Sequence, residues 1–218
     1  MMFVENGQSG YSGARHPSGM KVYTRGFNTY VPYSSTERVY PPESVPVATS
    51  WVVPSSETGY YTTTVEGSYM DGTYSVWASH VLEFPAYTRS PPTAFDHDES
   101  ATNFLWVANN TFTNGHGFAS IGISLPEGIK LSKYTLKGRG SDYNQMPKLW
   151  NMDASNDGSS WVRVDRRTDE TGWTSFQNRE YTVSSTVEYR MYRLYIYQNN
   201  GSEHVTLFGF KLYGYQPL

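Results

Sequence analysis

The sequence predicts an all-β fold, an antiparallel β-sandwich of jelly-roll type carried behind an extended N-terminal arm. From Val47 onward, short runs of β-branched and aromatic residues alternate with polar ones. Gly, Asn, Asp and Pro bound those runs, as turns require. No stretch shows the 3.6-residue period of an amphipathic helix. Many short strands between tight turns belong to sandwiches and jelly rolls.

The elements follow in order. Residues 1–44 are rich in Gly, Ser, Tyr and Pro and hold no sustained period. Short pieces such as Met20–Tyr23 and Thr29–Val31 have strand character. Tyr40-Pro41-Pro42-Glu43-Ser44-Val45-Pro46 is an extended connector, because Pro fixes φ and disfavours helix before it. A polar arm with little to bury needs a partner surface to hold it still. The arm is therefore expected mainly on a neighbouring subunit, the alternative being that it folds back on its own domain, with the sandwich over 45–218. Strands are expected at Thr62–Glu66, Thr73–Ala78, Phe118–Leu125, Leu131–Leu136, Leu149–Ala154, Trp161–Val164, Glu180–Val183, Tyr189–Tyr197 and Val205–Tyr213. Between two of these, Asn156-Asp157-Gly158 is hairpin chemistry, since Asn and Asp tolerate the left-handed region and Gly takes it freely. Trp161 is expected to return into the core.

Composition bounds the function. Charged residues are 17% of the 218, below the usual quarter, while aromatics reach 16% with 19 Tyr and 6 Trp. Such residues suit strands, interfaces and sugar platforms. The net charge of −3 argues against a nucleic-acid partner. With no cysteine, disulfides, thiolate nucleophiles and Cys-ligated zinc are excluded. The N-terminus lacks the basic and apolar regions of a leader, and no run reaches the length of a membrane span. Export by its own signal and membrane insertion are therefore not expected. The histidines at 16, 80, 97, 116 and 204 have no zincin spacing, and there is no nucleophile elbow, P-loop or dinucleotide fingerprint. No catalytic residue is assigned and a non-enzyme is expected.

A series of short motifs appears in a fixed order. It runs Trp77-Ala78-Ser79, Pro92-Thr93-Ala94-Phe95-Asp96, then Thr102 with Phe104 or Trp106. Tyr134-Thr135-Leu136-Lys137-Gly138-Arg139 and Pro147-Lys148-Leu149-Trp150 follow. Ala154-Ser155-Asn156-Asp157-Gly158-Ser159-Ser160-Trp161 is the sharpest. Thr171-Gly172-Trp173, Tyr192-Arg193-Leu194 and Lys211-Leu212-Tyr213-Gly214 complete it. In this series the chain resembles the discoidin family, or coagulation-factor C-type domains, whose galactose-binding-like sandwich is shared by many carbohydrate-binding modules. The arm lies outside the match.

The resemblance implies binding and names candidates. Sugar-binding relatives use an Arg and a downstream Asn after the Gly-Arg strand, matched by Arg139 and Asn144 with Tyr143 between. An Arg fork can grip vicinal hydroxyls and an aromatic can stack on a pyranose. Glu83 and Tyr87, in the loop before Ala94, are further sugar candidates, and Trp173 is either a platform or a core edge. Calcium is the one cofactor left open: Asp96, Asp98 and Thr102 match oxygen donors of calcium-binding relatives, but Gly209 stands where their final-strand Glu would be.

A recognition fold in a chain without leader or cysteine fits a particle made in a host cytoplasm and released by lysis. The expected function is thus a non-enzymatic virion structural and adhesion protein, a capsid or tail component located in the virion. Its partners would be other virion subunits through the arm, and host surface glycans. The alternatives are a carbohydrate-binding module of a bacterial surface protein or enzyme, and a cytosolic lectin.

Overall fold

The structure is a computed structural model that describes residues 11–15, 21–25, 32–82, 84, 88–98, 105–109 and 111–218. It divides into two units, 1–32 and 33–218. In the first, β1 (Tyr11–Arg15) and β2 (Lys21–Arg25) pair antiparallel, Tyr11 opposite Arg25 and Arg15 opposite Lys21. The strand expected at 20–23 falls on β2, and that at 29–31 lies outside the described residues.

The second unit begins at Tyr33 rather than at 45. Its first strand, β3 (Arg38–Tyr40), is followed by β4 (Tyr61–Val65), β5 (Gly72–Ala78), β6 (Trp106–Ala108) and β7 (Phe112–Thr113). Then come β8 (His116–Lys137), β9 (Pro147–Ser155), β10 (Val162–Arg167) and β11 (Asn178–Thr182). β12 (Tyr189–Asn199), β13 (Val205–Leu207) and β14 (Gly209–Tyr215) complete it. All pairings are antiparallel, as alternating sequences with short turns require. Tyr40 pairs with Leu212 and Tyr33 with Pro217, so the two ends of this unit lie side by side. Residues 33–40, read from sequence as arm, are held here because Tyr40 is fully buried.

β8 organises the sandwich. It is 22 residues long and belongs to both sheets. Its first half pairs with β5 and β12, within the order β4-β5-β8-β12-β9-β10. Its second half pairs with β14 and β11. The register runs down β12 from His116 at Gln198 to Ile129 at Tyr189, then back up β14 from Lys130 at Tyr215 to Lys137 at Gly209. The strand crosses between sheets near Pro126-Glu127-Gly128, where Pro withholds a ladder donor. Both of its ends therefore emerge at the same end of the sandwich.

Alternation sets the core between the sheets. Tyr74, Val76 and Ala78 of β5 are buried, as are Ile121, Ile123 and Leu125 of β8, Trp150, Met152 and Ala154 of β9, and Tyr192, Leu194 and Ile196 of β12. They meet Leu131, Tyr134, Leu136, Tyr181, Phe210 and Leu212 from the other sheet. Removing each large side chain from water contributes about 1.5–3 kcal/mol. Buried polar ends find partners: Trp150 Nε1 donates to Tyr134 Oη at 2.9 Å, and that hydroxyl donates to Asp165 Oδ2 at 2.7 Å. Arg167 Nε also donates to Asp165 Oδ2 at 2.7 Å.

The turn at 155–161 forms as its chemistry predicts. The Asp157 carboxylate accepts from the Ser159 and Ser160 amides at 2.8 and 2.7 Å, and Gly158 takes φ +72°. Those amide bonds hold the Asp157 carboxyl well below the usual range. Trp161 corrects the expectation of a core residue. It lies outside the core cluster, on the outer face, with Arg193 Cζ 4.0 Å from its ring centre.

Candidate functional site

The loops at the end where β8 begins and finishes are bonded to one another. The segment 199–204 is shaped by one side chain. Asn199, buried, donates from Nδ2 to the carbonyls of Ser202 and His204 at 3.0 and 2.6 Å. Its Oδ1 accepts from the Gly201 and Ser202 amides at 2.9 and 3.0 Å. Next to it, Asn200 donates from Nδ2 to Met146 O at 2.9 Å and to Glu170 O at 3.2 Å. Its amide also reaches Met146 O at 3.2 Å.

A two-residue Asn114-Gly115 turn joins β7 to β8, with positive φ at both positions as a tight hairpin demands. Gly115 O accepts from the Asn199 amide at 2.9 Å. A Cβ on Gly115 would lie 2.9 Å from Asn199 O and Gly201 N, so only glycine lets the loops approach this closely.

Between these loops opens a cleft of about 210 Å³. Asn114, Gly115, His116, Lys148, Gln198, Asn199, Asn200 and Gly201 line it. Gln198 Nε2 donates to His116 Nδ1 at 3.1 Å. Lys148 makes no ion pair or side-chain hydrogen bond among the described residues, leaving its ammonium for a ligand. The walls thus hold amides and an imidazole, which can donate or accept, and one ammonium, which only donates. The cleft is smaller than a site for a drug-sized ligand.

The candidates taken from sequence are distributed differently. Arg139 opens the loop after β8, but its guanidinium is engaged within that loop. Nη1 donates to Gln145 Oε1 at 2.7 Å, and Nη2 pairs with Asp142 Oδ2 at 3.2 Å. Tyr143 and Asn144 are exposed on the short turn Tyr143–Gln145, with the Tyr143 hydroxyl bonded to Gly140 O at 3.2 Å. Trp173 is a core edge and not a platform. It is buried, its Nε1 donates to Pro147 O, and the Arg179 guanidinium covers its ring at 4.1 Å. Glu83, Tyr87 and Thr102 lie outside the described residues. The loop 138–146 bonds to Asn200 through the Met146 carbonyl, yet none of the described sugar candidates lines the cleft.

Of the cation candidates, Asp96 ties two segments together. Asp96 accepts from the Ala48 amide at 2.8 Å and the Asp98 amide at 3.1 Å, stapling the segment around Ala48 to the turn after Phe95. Burial pushes its carboxyl up to about 6 despite those amides. Among the described residues, no group of three or more Asp, Glu or His converges as cation ligands would.

Sequence reasoning missed the cleft because its residues read as ordinary turns. Asn114-Gly115 and Asn200-Gly201 are turn dipeptides. Only Lys148 stood in a quoted motif, and nothing in the sequence placed it beside Gln198.

No protein-family model matches the chain, and no curated protein matches it. Solved structures do. CpGH89CBM32-5 from Clostridium perfringens, a family 32 carbohydrate-binding module in complex with GalNAc-β-1,3-galactose, superposes with a TM-score of 0.52 at 14% identity. The match covers 64% of this chain and 94% of that one. An F5/8 type C domain from Bacteroides fragilis gives 0.52 at 14% identity over 71% of this chain and 97% of the other. A fucolectin from striped bass (Morone saxatilis) serum gives 0.51 at 14% identity, covering 65% of this chain and 46% of its own. Together with the antiparallel strands and the shared crossing strand, these matches establish that the sandwich has the discoidin-like, galactose-binding-like fold.

Proposed function

We propose that the protein is a non-catalytic glycan-binding module whose sugar site is the cleft between the Asn114-Gly115 turn and the 199–201 segment. The observation that carries this is the lining of His116, Lys148, Gln198 and Asn200, hydrogen-bonding groups held on loops bonded to each other. Rigid walls reduce the entropy lost on binding. The solved structures of the same fold support recognition over catalysis, and they favour the carbohydrate-binding module over the virion component expected first. One was solved with GalNAc-β-1,3-galactose, which makes galactose and GalNAc the first sugars to try.

A small cleft with few contacts gives weak binding, about −4 kcal/mol or around millimolar for one monosaccharide. Useful attachment then depends on several copies or sites, since linkage raises avidity by roughly 10²–10⁴. Calorimetric titration with galactose, GalNAc and their disaccharides tests the proposal. Lys148→Gln and His116→Gln are expected to weaken binding several-fold with little change in thermal midpoint. If no glycan binds, or both variants bind as the parent does, the cleft is not a sugar site.

A further inference from the structure

A second surface has its own chemistry. The outer face of the sheet β4-β5-β8-β12-β9-β10 carries aromatic rings across the strands. Tyr60 lies 5.3 Å from Trp77, and Trp77 lies 6.3 Å from Trp161. Arg193 bridges the row, its Cζ 4.0 Å from the Trp161 ring centre and 5.4 Å from that of Tyr195. Tyr195 continues to Phe118 at 4.5 Å and Tyr197 at 4.9 Å. Tyr60, Phe118 and Tyr197 are 52%, 37% and 36% exposed, so the row is open to solvent at both ends.

The register shows what flanks the rings. Thr62, Ser75 and Ser124 stand opposite one another on β4, β5 and β8, a line of small hydroxyl residues beside the aromatics. On the other flank, Arg163 stands opposite Asp153, and Arg166 opposite Asn151. The bulge between Arg163 and Asp165 lets residues of unlike parity share this face. Arg193 pairs with Asp153 at 3.3 Å. These strands therefore bring three arginines and one carboxylate to the face, on a chain whose net charge is −3. The local sign is opposite to that of the whole.

We infer that this face binds an acidic polysaccharide, laid across the strands with sugar rings on the Tyr60–Trp77–Tyr195 row and carboxylates toward Arg163 and Arg166. Aromatic faces stack on sugar rings, and guanidinium forks match carboxylates. Thr62, Ser75 and Ser124 put three hydroxyls beside the row, groups that can bond those of a sugar chain. The inference extends glycan binding to a surface separate from the cleft and is tested independently of it.

The test is electrophoresis of the full chain through gels containing polygalacturonate, with dextran and poly-L-glutamate gels as controls. Polygalacturonate is expected to retard the protein, less so as salt rises, and dextran is not. The double variant Arg163→Gln, Arg166→Gln should weaken retardation about tenfold. Tyr60→Ala, at an exposed position, should weaken it about threefold. Trp77→Ala, once circular dichroism shows it folded, should do at least as much. Lys130→Gln, on the other sheet, should leave retardation unchanged. No retardation by polygalacturonate overturns the inference. So does equal retardation by poly-L-glutamate, which would mean charge alone is read, or loss in Lys130→Gln with the arginine variant unaffected.

Discussion

Trp77 lies directly over Gly122: a Cβ on that glycine would sit 2.4 Å from the indole Cζ2. The two residues are paired across β5 and β8, so the missing side chain makes the space in which the ring lies against the sheet. Gly122→Ala should lift Trp77 from the face. The expected cost is about 1–3 kcal/mol, as for other overpacked sites. A fall in thermal midpoint with reduced retardation by polygalacturonate would be the result; an unchanged midpoint and unchanged tryptophan fluorescence would contradict it.

Asn199→Ala should open the 199–204 loop. It removes two side-chain donor bonds and two acceptor bonds at a residue only 3% exposed. Leaving those backbone groups without partners should cost on the order of 2–3 kcal/mol. Urea unfolding should show a lower midpoint with an unchanged slope. Galactose binding should be lost even where the variant is folded, because the Asn199 side chain holds the 201–202 backbone beside the cleft.

Asp96 makes stability depend on pH. Its folded carboxyl titrates near 6 rather than 3.8, mainly through burial. Between those values the folded state holds a proton that the unfolded state has released. The contribution is full below about 4 and is lost as pH rises through about 6, on the order of 2–3 kcal/mol. Asp96→Asn should flatten that part of the profile. Denaturant unfolding at pH 4.5 and pH 7, in parent and variant, measures it; equal slopes in both would disprove the assignment.

Deleting residues 1–32 should leave the sandwich folded. The strand that opens the second unit, β3, is paired to β14 and lies wholly after the cut. The thermal midpoint of 33–218 should match that of the whole chain within about 2 °C, a shift under 1 kcal/mol for a domain of this size. Deleting 1–44 instead removes buried Tyr40 and the β3 pairing, and should destabilise strongly.

Much of the fold was legible in the sequence. Period-two alternation in Thr73–Ala78 and Tyr189–Tyr197 fixes which side chains face inward, because burial acts on every second residue of a strand, whereas the run Val205–Tyr213 divides at Phe208 into β13, buried throughout, and β14. Asn156-Asp157-Gly158 named its own turn for the same local reason. What could not be read locally was Tyr40, whose pairing with Leu212 depends on a residue far along the chain. Trp161 misled because an indole between Gly158 and Val162 looks like core, while Arg193 offers it an outer-face partner instead. Arg139 was placed on the right loop, but whether a guanidinium faces solvent or its own Gln145 is decided by side-chain packing, not by motif. The cleft residues come from separate turns, and only the register of β8 with β12 brings His116 to Gln198.

The crossing of β8 near Pro126-Glu127-Gly128 has a consequence for how the protein can be divided. One cut there separates a piece ending in the first half of β8, with β4 and β5, from a piece beginning with its second half, with β11, β12 and β14. Neither piece is a finished sheet. The first lacks β12 as neighbour, and the second lacks the strand that fills the gap beside β12. Each therefore presents an open edge whose hydrogen-bonding groups match the other. Two such fragments, expressed apart, are built to find each other, and their reassembly would restore His116 to Gln198 and the cleft with it.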